Sequence, residues 1–333
     1  MIQLLIPKTT YTIDYPQAVE YATTQSHIFW TPDEIDVEKD LHDIKTNFTH
    51  SEYHGVVSTL KLFTLYELAV GNDYWSGYIS QIFQRPDIQR MANCFSFFEI
   101  NVHAPFYNKI NEVLGLDTDN FYCEYLDDPI LKNRMEWISK RVSKRDSDFE
   151  RLRSIAIFSM IEGAILYSSF AFLKHFQSEG KNKLMNVTAG INFSVKDENL
   201  HSEAGAWLFK TYLSELKACL DKESFNNIYY PLINTILETA KVILEHEIII
   251  INKIFEKGNI SGISAYQLIE FVKHRLNLCL RQLGLDELFA VADTSVESWF
   301  YKNINSSKLH DFFVKQGNEY NRNWSEGKFI WKT

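Results

Sequence analysis

The chain is predicted to fold as an all-α helical bundle, and three observations predict it. Only 13 glycines and 7 prolines punctuate its 333 residues, which leaves room for long uninterrupted elements. No segment of note alternates apolar and polar residues with the two-residue period of a strand. The 20 residues from Ser154 to Leu173 are nearly all apolar or small, with one acid, Glu162, near the centre. That length would cross a bilayer, but a carboxylate at mid-membrane costs about 2.5–3.5 kcal/mol, and no aromatic belt or basic stop follows. The stretch reads as the innermost helix of a bundle, apolar all round because it is buried all round. No membrane association is expected.

The elements follow in order. Through Ile28, Phe29 and Trp30 the chain reads as irregular. Thr31, Pro32 and Asp33 then supply an N-cap, a proline at the first helical position and an acidic first turn, and helices are expected from there on. Helical period runs from Ser51 to Val70. Pro86 opens a helix that ends at Leu114, where Gly115 stops it. Further helices are expected over Asp127–Val142, Phe149–Gln177, Lys181–Leu213, Lys222–Phe255 and Ser264–Leu283, with Gly180, Gly258, Gly262 and Gly284 as breaks. From about Asp293 the pattern dissolves into Ser, Asn and Lys with scattered aromatics, too few to bury much surface. Residues 1–292 are therefore expected as one helical domain and 293–333 as a mobile, functional tail.

Composition excludes several functions. A net charge of -9 leaves no basic footprint for nucleic acid. Cys94, Cys123, Cys219 and Cys279 stand far apart with no Cys-x-x-Cys spacing, which suits free thiols in a reducing compartment. The apolar run from Met1 to Pro7 is too short for a signal peptide and has no basic flank, so a cytoplasmic location is expected.

Within the apolar helices a few ionisable residues recur in a pattern. Glu198 and His201 form the chain's single Glu-x-x-His, and at about 100° per residue they share one helix face. In order, the acids make an internal repeat: a lone Glu67 then Glu99 with His103, and a lone Glu162 then Glu198 with His201, separated by 32 and 36 residues. Four-helix di-metal carboxylate proteins use this set, one Glu from each of two helices and a Glu/His pair from each of the other two. Carboxylate oxygens with one imidazole per metal suit iron or manganese. Glu/His pairs four residues apart are common in themselves, and the surroundings decide. Glu38/His42 and Glu270/His274 have charged neighbours and read as solvated faces. Glu99 stands among Phe95, Phe97, Phe98, Val102 and Phe106, where an unpaired carboxylate would be expensive. One buried Glu alone is as readily a structural hydrogen-bonder as a metal ligand; four in repeat order with two histidines favour metal.

These residues resemble the small, radical-generating subunit of class I ribonucleotide reductase over nearly the full length. The likeness is carried by Phe29-Trp30-x-Pro32-x-Glu34, by Glu67 ahead of Gly71, by the Glu99/His103 helix with Tyr107 after it, and by Glu162 followed by Tyr167 and Phe170. Lys196-Asp197-Glu198-x-x-His201 is its most specific part. His310-Asp311-Phe312-Phe313, with Gly317 and Tyr320 beyond, is similar to the C-terminal segment of the class Ib subunits. One departure is visible. The family's first pair is Glu-x-x-His, with the radical tyrosine four residues after the His, whereas here it is Glu99-x-x-x-His103. Aligning on His103 makes Tyr107 the radical residue. Aligning on Glu99 puts Val102 and Phe106 at the two positions and resembles the tyrosine-free manganese/iron subclass. Valine cannot bind metal, which favours His103, and a π-bulge would absorb the extra residue, with Pro105 loosening the same stretch.

The resemblance implies a ferritin-like bundle in which Glu67, Glu99 and His103 hold one metal and Glu162, Glu198 and His201 the other, as iron, manganese or a mixed pair. It implies a tyrosyl radical at Tyr107 and an exit through Trp30, Asp197 and His103 to Tyr320. The implied activity is reduction of ribonucleotides to deoxyribonucleotides in a large catalytic subunit. A second copy of the chain is an implied partner, and the resemblance leaves open whether a flavoprotein activator is required. The nearest competing function is a ligand-binding di-metal oxidase of the same fold, against which Trp30, Asp197 and the aromatic tail count. A ferritin-like metal store fits less well, because storage needs acid-lined entry routes and no tail.

Overall fold

The computed structural model describes residues 1–142 and 144–301. Among the described residues up to Gln282, thirteen α-helices follow one another: α1 Pro16–His27, α2 His50–Leu60, α3 Phe63–Leu68, α4 Ser80–Ile82, α5 Pro86–Phe98, α6 Ala104–Leu114, α7 Asp119–Asp127, α8 Pro129–Val142, α9 Asp148–Met160, α10 Tyr167–Lys174, α11 Met185–Cys219, α12 Lys222–Ile254 and α13 Ala265–Gln282. Among the described residues there is no β-strand, only an isolated bridge between Ile260 and Ile263.

The helix ends have the chemistry their sequences suggest. The Thr49 hydroxyl accepts from the Glu52 amide while the Glu52 carboxylate accepts from the Thr49 amide, so two orphan donors of α2 are satisfied reciprocally. Ser264 and Gln267 repeat the device at α13, and Gly115 closes α6 with φ of 69°, a conformation that favours glycine.

Three π-helical stretches join α-helices into longer rods: Ala69–Ile79 between α3 and α4, Glu99–His103 between α5 and α6, and Ile161–Ile165 between α9 and α10. The rod Asp148–Ser178 is long and apolar enough to cross a membrane, but its apolar window is entirely buried within the fold. It lies along α11, while α5 packs on the Ala69–Ile79 stretch and α3 on α6. These four rods enclose the centre, and α12 and α13 cover one side of it.

Several expectations are corrected. Pro32–Glu34 is a single 3₁₀ turn rather than the start of a long helix; the first helix is α1, which precedes it. The face that α1 buries consists of Ala18, Ala22 and Gln25, small and polar residues that leave no apolar stripe in the sequence. Helix α7 is an extra element, capped by Thr118, and the rod begun at Phe63 runs past Val70 to Ile82. Glu270 is buried rather than solvated: it accepts from the Ala292 amide at 2.7 Å and from Lys273 at 2.6 Å, fastening the chain that leaves α13.

The packed body also continues beyond residue 292. Residues 295–301 are helical and bury Val296 and Phe300. The wholly buried Lys174 donates to the Phe300 carbonyl at 3.0 Å, and Arg275 donates to the Tyr301 hydroxyl at 2.8 Å. Burial lowers the Lys174 pKa to about 7.

Away from the centre, Arg134 and Glu247 form a buried ion pair at 2.5 Å, and Ser168 donates to the second carboxylate oxygen. Breaking such a pair leaves an uncompensated charge inside the protein. Arg134→Met should therefore cost about 3–5 kcal/mol in a denaturant titration; a variant as stable as the parent would show that the pair fastens nothing.

Candidate di-metal centre

All six acids and imidazoles singled out in the sequence converge at the middle of the bundle, each at most 5 % exposed. They form two overlapping groups, Glu67, Glu99, His103 and Glu198, and Glu99, Glu162, Glu198 and His201, with candidate ligand atoms within 4.8 Å of one another in each. Glu99 and Glu198 belong to both. Nδ1 of His103 lies 3.0 Å from Glu99, 3.2 Å from Glu198 and 3.8 Å from Glu67. Nδ1 of His201 lies 2.6 Å from Glu99, 3.9 Å from Glu162 and 4.0 Å from Glu198.

The register question has a local answer. Glu99–His103 is a π turn, which accommodates one residue more than an α turn. His103 faces the acids, while Val102, buried beside it, offers no donor atom.

The outer nitrogens fix the ring tautomers. Nε2 of His103 donates to Asp197 at 2.9 Å, and Nε2 of His201 donates to the Gln25 carbonyl oxygen at 3.0 Å. Both Nδ1 atoms therefore point inward, as in metal-bound histidines whose second nitrogen is held by an outer partner. Burial opposes a charge on His103, but Glu99 raises its pKa well above the usual value, so without metal the ring keeps a proton on Nδ1 and donates it to Glu99. Asp197 accepts two more bonds, from the Trp30 indole at 2.8 Å and the Gln25 amide at 2.9 Å. Trp30 stacks on His103 with ring centroids 5.9 Å apart. On the opposite side the Trp75 indole donates to Glu162 at 2.6 Å.

Gln25 and Trp75 are absent from the sequence reading. Pro16 at the first position of α1, with Ala18, Ala22 and Gln25 at helical spacing, was the available signal for Gln25. Trp75 belongs to the π stretch, where α-helical counting misplaces faces.

The electrostatics test whether cations fit. Burial first, and then the neighbouring carboxylates, push Glu67 and Glu162 well above the ordinary carboxylate range and Glu198 to about 8. Glu99 goes the other way: burial opposes it, but the His103 and His201 rings hold it below that range. One oxygen each of Glu67, Glu99 and Glu198, and Nδ1 of His201, have no aligned hydrogen-bond partner. Thus Glu99 Oε1 and His201 Nδ1 approach closely without bonding to each other, as two donors aimed at a common third point do. Once cations displace the protons, four carboxylates and two neutral imidazoles match the charge of two divalent ions and the hard-donor chemistry of iron or manganese. The residues fit the group.

Tyr107 is wholly buried next to the site, edge-on to Phe63 at 4.7 Å, and Phe63 in turn meets Phe170 at 5.7 Å. Burial and then the Glu67 charge raise the phenol pKa well above its usual value. Tyr320 and the aromatic residues near the C-terminus lie outside the described residues.

A bundle holding a Glu/His pair on each of two rods and a Glu on each of two others defines the ferritin-like di-metal carboxylate class. The family model described as "Ribonucleotide reductase, small chain" matches residues 7–296. Protein 048L of Invertebrate iridescent virus 3, assigned as a ribonucleoside-diphosphate reductase small subunit, is 25% identical over 350 residues, 99% of this chain and 89% of that one. In fold the chain is similar to the dimanganese(II)-NrdF of Streptococcus sanguinis, with a TM-score of 0.69, 19% identity and coverage of 85% of this chain and 94% of that one. The ribonucleotide reductase R2 subunit of Clostridium botulinum gives 0.71, 21%, 88% and 89%. The chain belongs to the ribonucleotide reductase small-chain family: it is the small subunit of a ribonucleoside-diphosphate reductase, a metal-binding oxidoreductase.

Gln25 ties the outer nitrogen of one histidine to the aspartate that holds the other. Gln25→Leu leaves both bonds unmade in the interior, and a loss of about 1–3 kcal/mol is expected in chemical denaturation; an unchanged midpoint would show that the amide contributes nothing.

Proposed function

We propose that Glu67, Glu99 and His103 would hold one metal ion and Glu162, Glu198 and His201 the other, with Glu99 and Glu198 within reach of both. The sharing of those two acids between the two ligand groups is the observation that carries this reading. When bound, the metal pair supplies the oxidising power to remove one electron from a nearby tyrosine. Tyr107 is that tyrosine. It gives up an electron and its phenolic proton together: burial and the charge of Glu67 beside it raise the phenol pKa, so the proton does not leave before the electron does.

The chain's own residues protect and conduct. Phe63, Phe106 and Phe170, all wholly or almost wholly buried, keep water and reductants from the ring of Tyr107. Asp197 accepts hydrogen bonds from both Trp30 and His103 on one oxygen, so a proton and an electron can shift along a connected path between the centre and the indole. From Trp30 the hole passes to the large subunit, with Tyr320 as the carrier on this chain's C-terminal segment. Docking of that C-terminal segment, residues 293–333, on the large subunit orients the two subunits for reduction of ribonucleotides. The work is cytoplasmic, in keeping with four unpaired cysteines. Loading with iron, manganese or both, with and without a reduced flavoprotein, identifies the working metal and whether such an activator is needed.

Two substitutions test the assignment. Glu198→Ala removes an acid common to both ligand groups, so metal analysis should find fewer than two ions per chain; two ions with unchanged spectra would refute the ligand set. Tyr107→Phe should keep both metals yet lose the tyrosyl signal in electron paramagnetic resonance and the reduction of nucleotides. Activity surviving in that variant would favour a tyrosine-free cluster instead.

A further inference from the structure

Ser194 lies on α11 one turn before Glu198, and its hydroxyl is wholly buried with no aligned hydrogen-bond partner. A serine or threonine within a helix can bond back to the carbonyl four residues earlier. The part-buried or exposed Thr23, Ser26, Thr211 and Thr235 do so in this protein, and the buried Ser159, Ser168 and Ser202 donate to neighbouring elements; Ser194 does neither. Its hydroxyl is therefore directed elsewhere.

The register between rods says where. Moving up α11, Gly190 lies so close to Phe106 that a Cβ there would collide with the ring. Glu198 meets His103 and His201 meets Glu99. Numbers rise on one rod as they fall on the other, so the two are antiparallel, and Ser194 stands level with the stretch between His103 and Tyr107. The Tyr107 hydroxyl is the second wholly buried polar group there without an aligned partner. The two are close enough for the serine to oppose the burial-driven rise of the phenol pKa.

We infer that Ser194 is a positioning residue for the radical: its hydroxyl donates a hydrogen bond to the oxygen of oxidised Tyr107. The inference rests on the reading of Tyr107 as the oxidised residue. In the reduced protein both groups are hydroxyls, and either can donate. Once Tyr107 has lost its electron and proton, its oxygen only accepts, and a rotation of the Ser194 hydroxyl supplies the donor. Asn192, whose side-chain oxygen also lacks a partner, stands about 200° around α11 from Ser194 and so on another face, and Phe63, Phe106 and Phe170 have nothing to donate.

The test is electron paramagnetic resonance and deuterium electron–nuclear double resonance on activated protein exchanged into heavy water. The parent should show an exchangeable deuteron coupled to the tyrosyl radical. In Ser194→Ala that coupling should vanish and the largest g value should rise, because a hydrogen bond to the phenoxyl oxygen lowers it. Ser194→Thr, which keeps a hydroxyl, should restore the coupling. A parent signal with no such deuteron, or a coupling that persists unchanged in Ser194→Ala, overturns the inference while leaving Tyr107 as the radical site. Absence of a tyrosyl signal in the parent, or one that survives Tyr107→Phe, overturns both.

Discussion

Four carboxylates buried within a few ångströms of each other govern this structure. In an apolar interior each would rather be neutral, and each raises the cost of its neighbours. The protein surrounds them with fixed partners: two imidazoles turned inward by Asp197 and Gln25, and an indole from Trp75 on Glu162. What remains is negative charge with unfilled donor atoms, which is the condition for binding cations rather than for forming a structural salt bridge.

The rods that carry these acids were legible because an ionisable residue in an apolar helix is conspicuous. Glu67, Glu99 and Glu162 each interrupt a hydrophobic run, and the run itself predicts burial, while Glu198 stands out by its spacing to His201. The supporting residues were hidden for the opposite reason. Gln25 lies on a helix whose buried face is alanine, and Trp75 looks like one more core aromatic until its donor is seen on Glu162. Glu270 misled because its charged neighbours in sequence suggest solvent, whereas the side chain turns inward to hold the amide of Ala292. Position along a helix reports the neighbours within it, not what arrives from elsewhere.

The far side of the centre is braced by one cation. Arg275 donates to the carbonyl of Gly163 beside Glu162, to the side chain of Asn199 beside Glu198, and to the Tyr301 hydroxyl, each at 2.8 Å, while its guanidinium lies 3.7 Å above the ring of Tyr167. Such a planar, permanently charged fork suits a buried junction better than a lysine would. It binds the backbone of one acid-bearing rod and a side chain of another to the segment from which the C-terminal residues depart, so the last described turn is anchored to the same frame as the acids.

The π turns have a consequence for kinship. A wide turn absorbs an added residue without moving the rods on either side, so such a helix can lengthen by one while its side chains keep their places in space. In a residue-by-residue alignment the added position must fall in some column, and here it falls between Glu99 and His103. A search that demands fixed spacing would score the pair as broken, although the three-dimensional arrangement is whole. Divergence in this lineage is thus better measured by which atoms meet than by how many letters separate them.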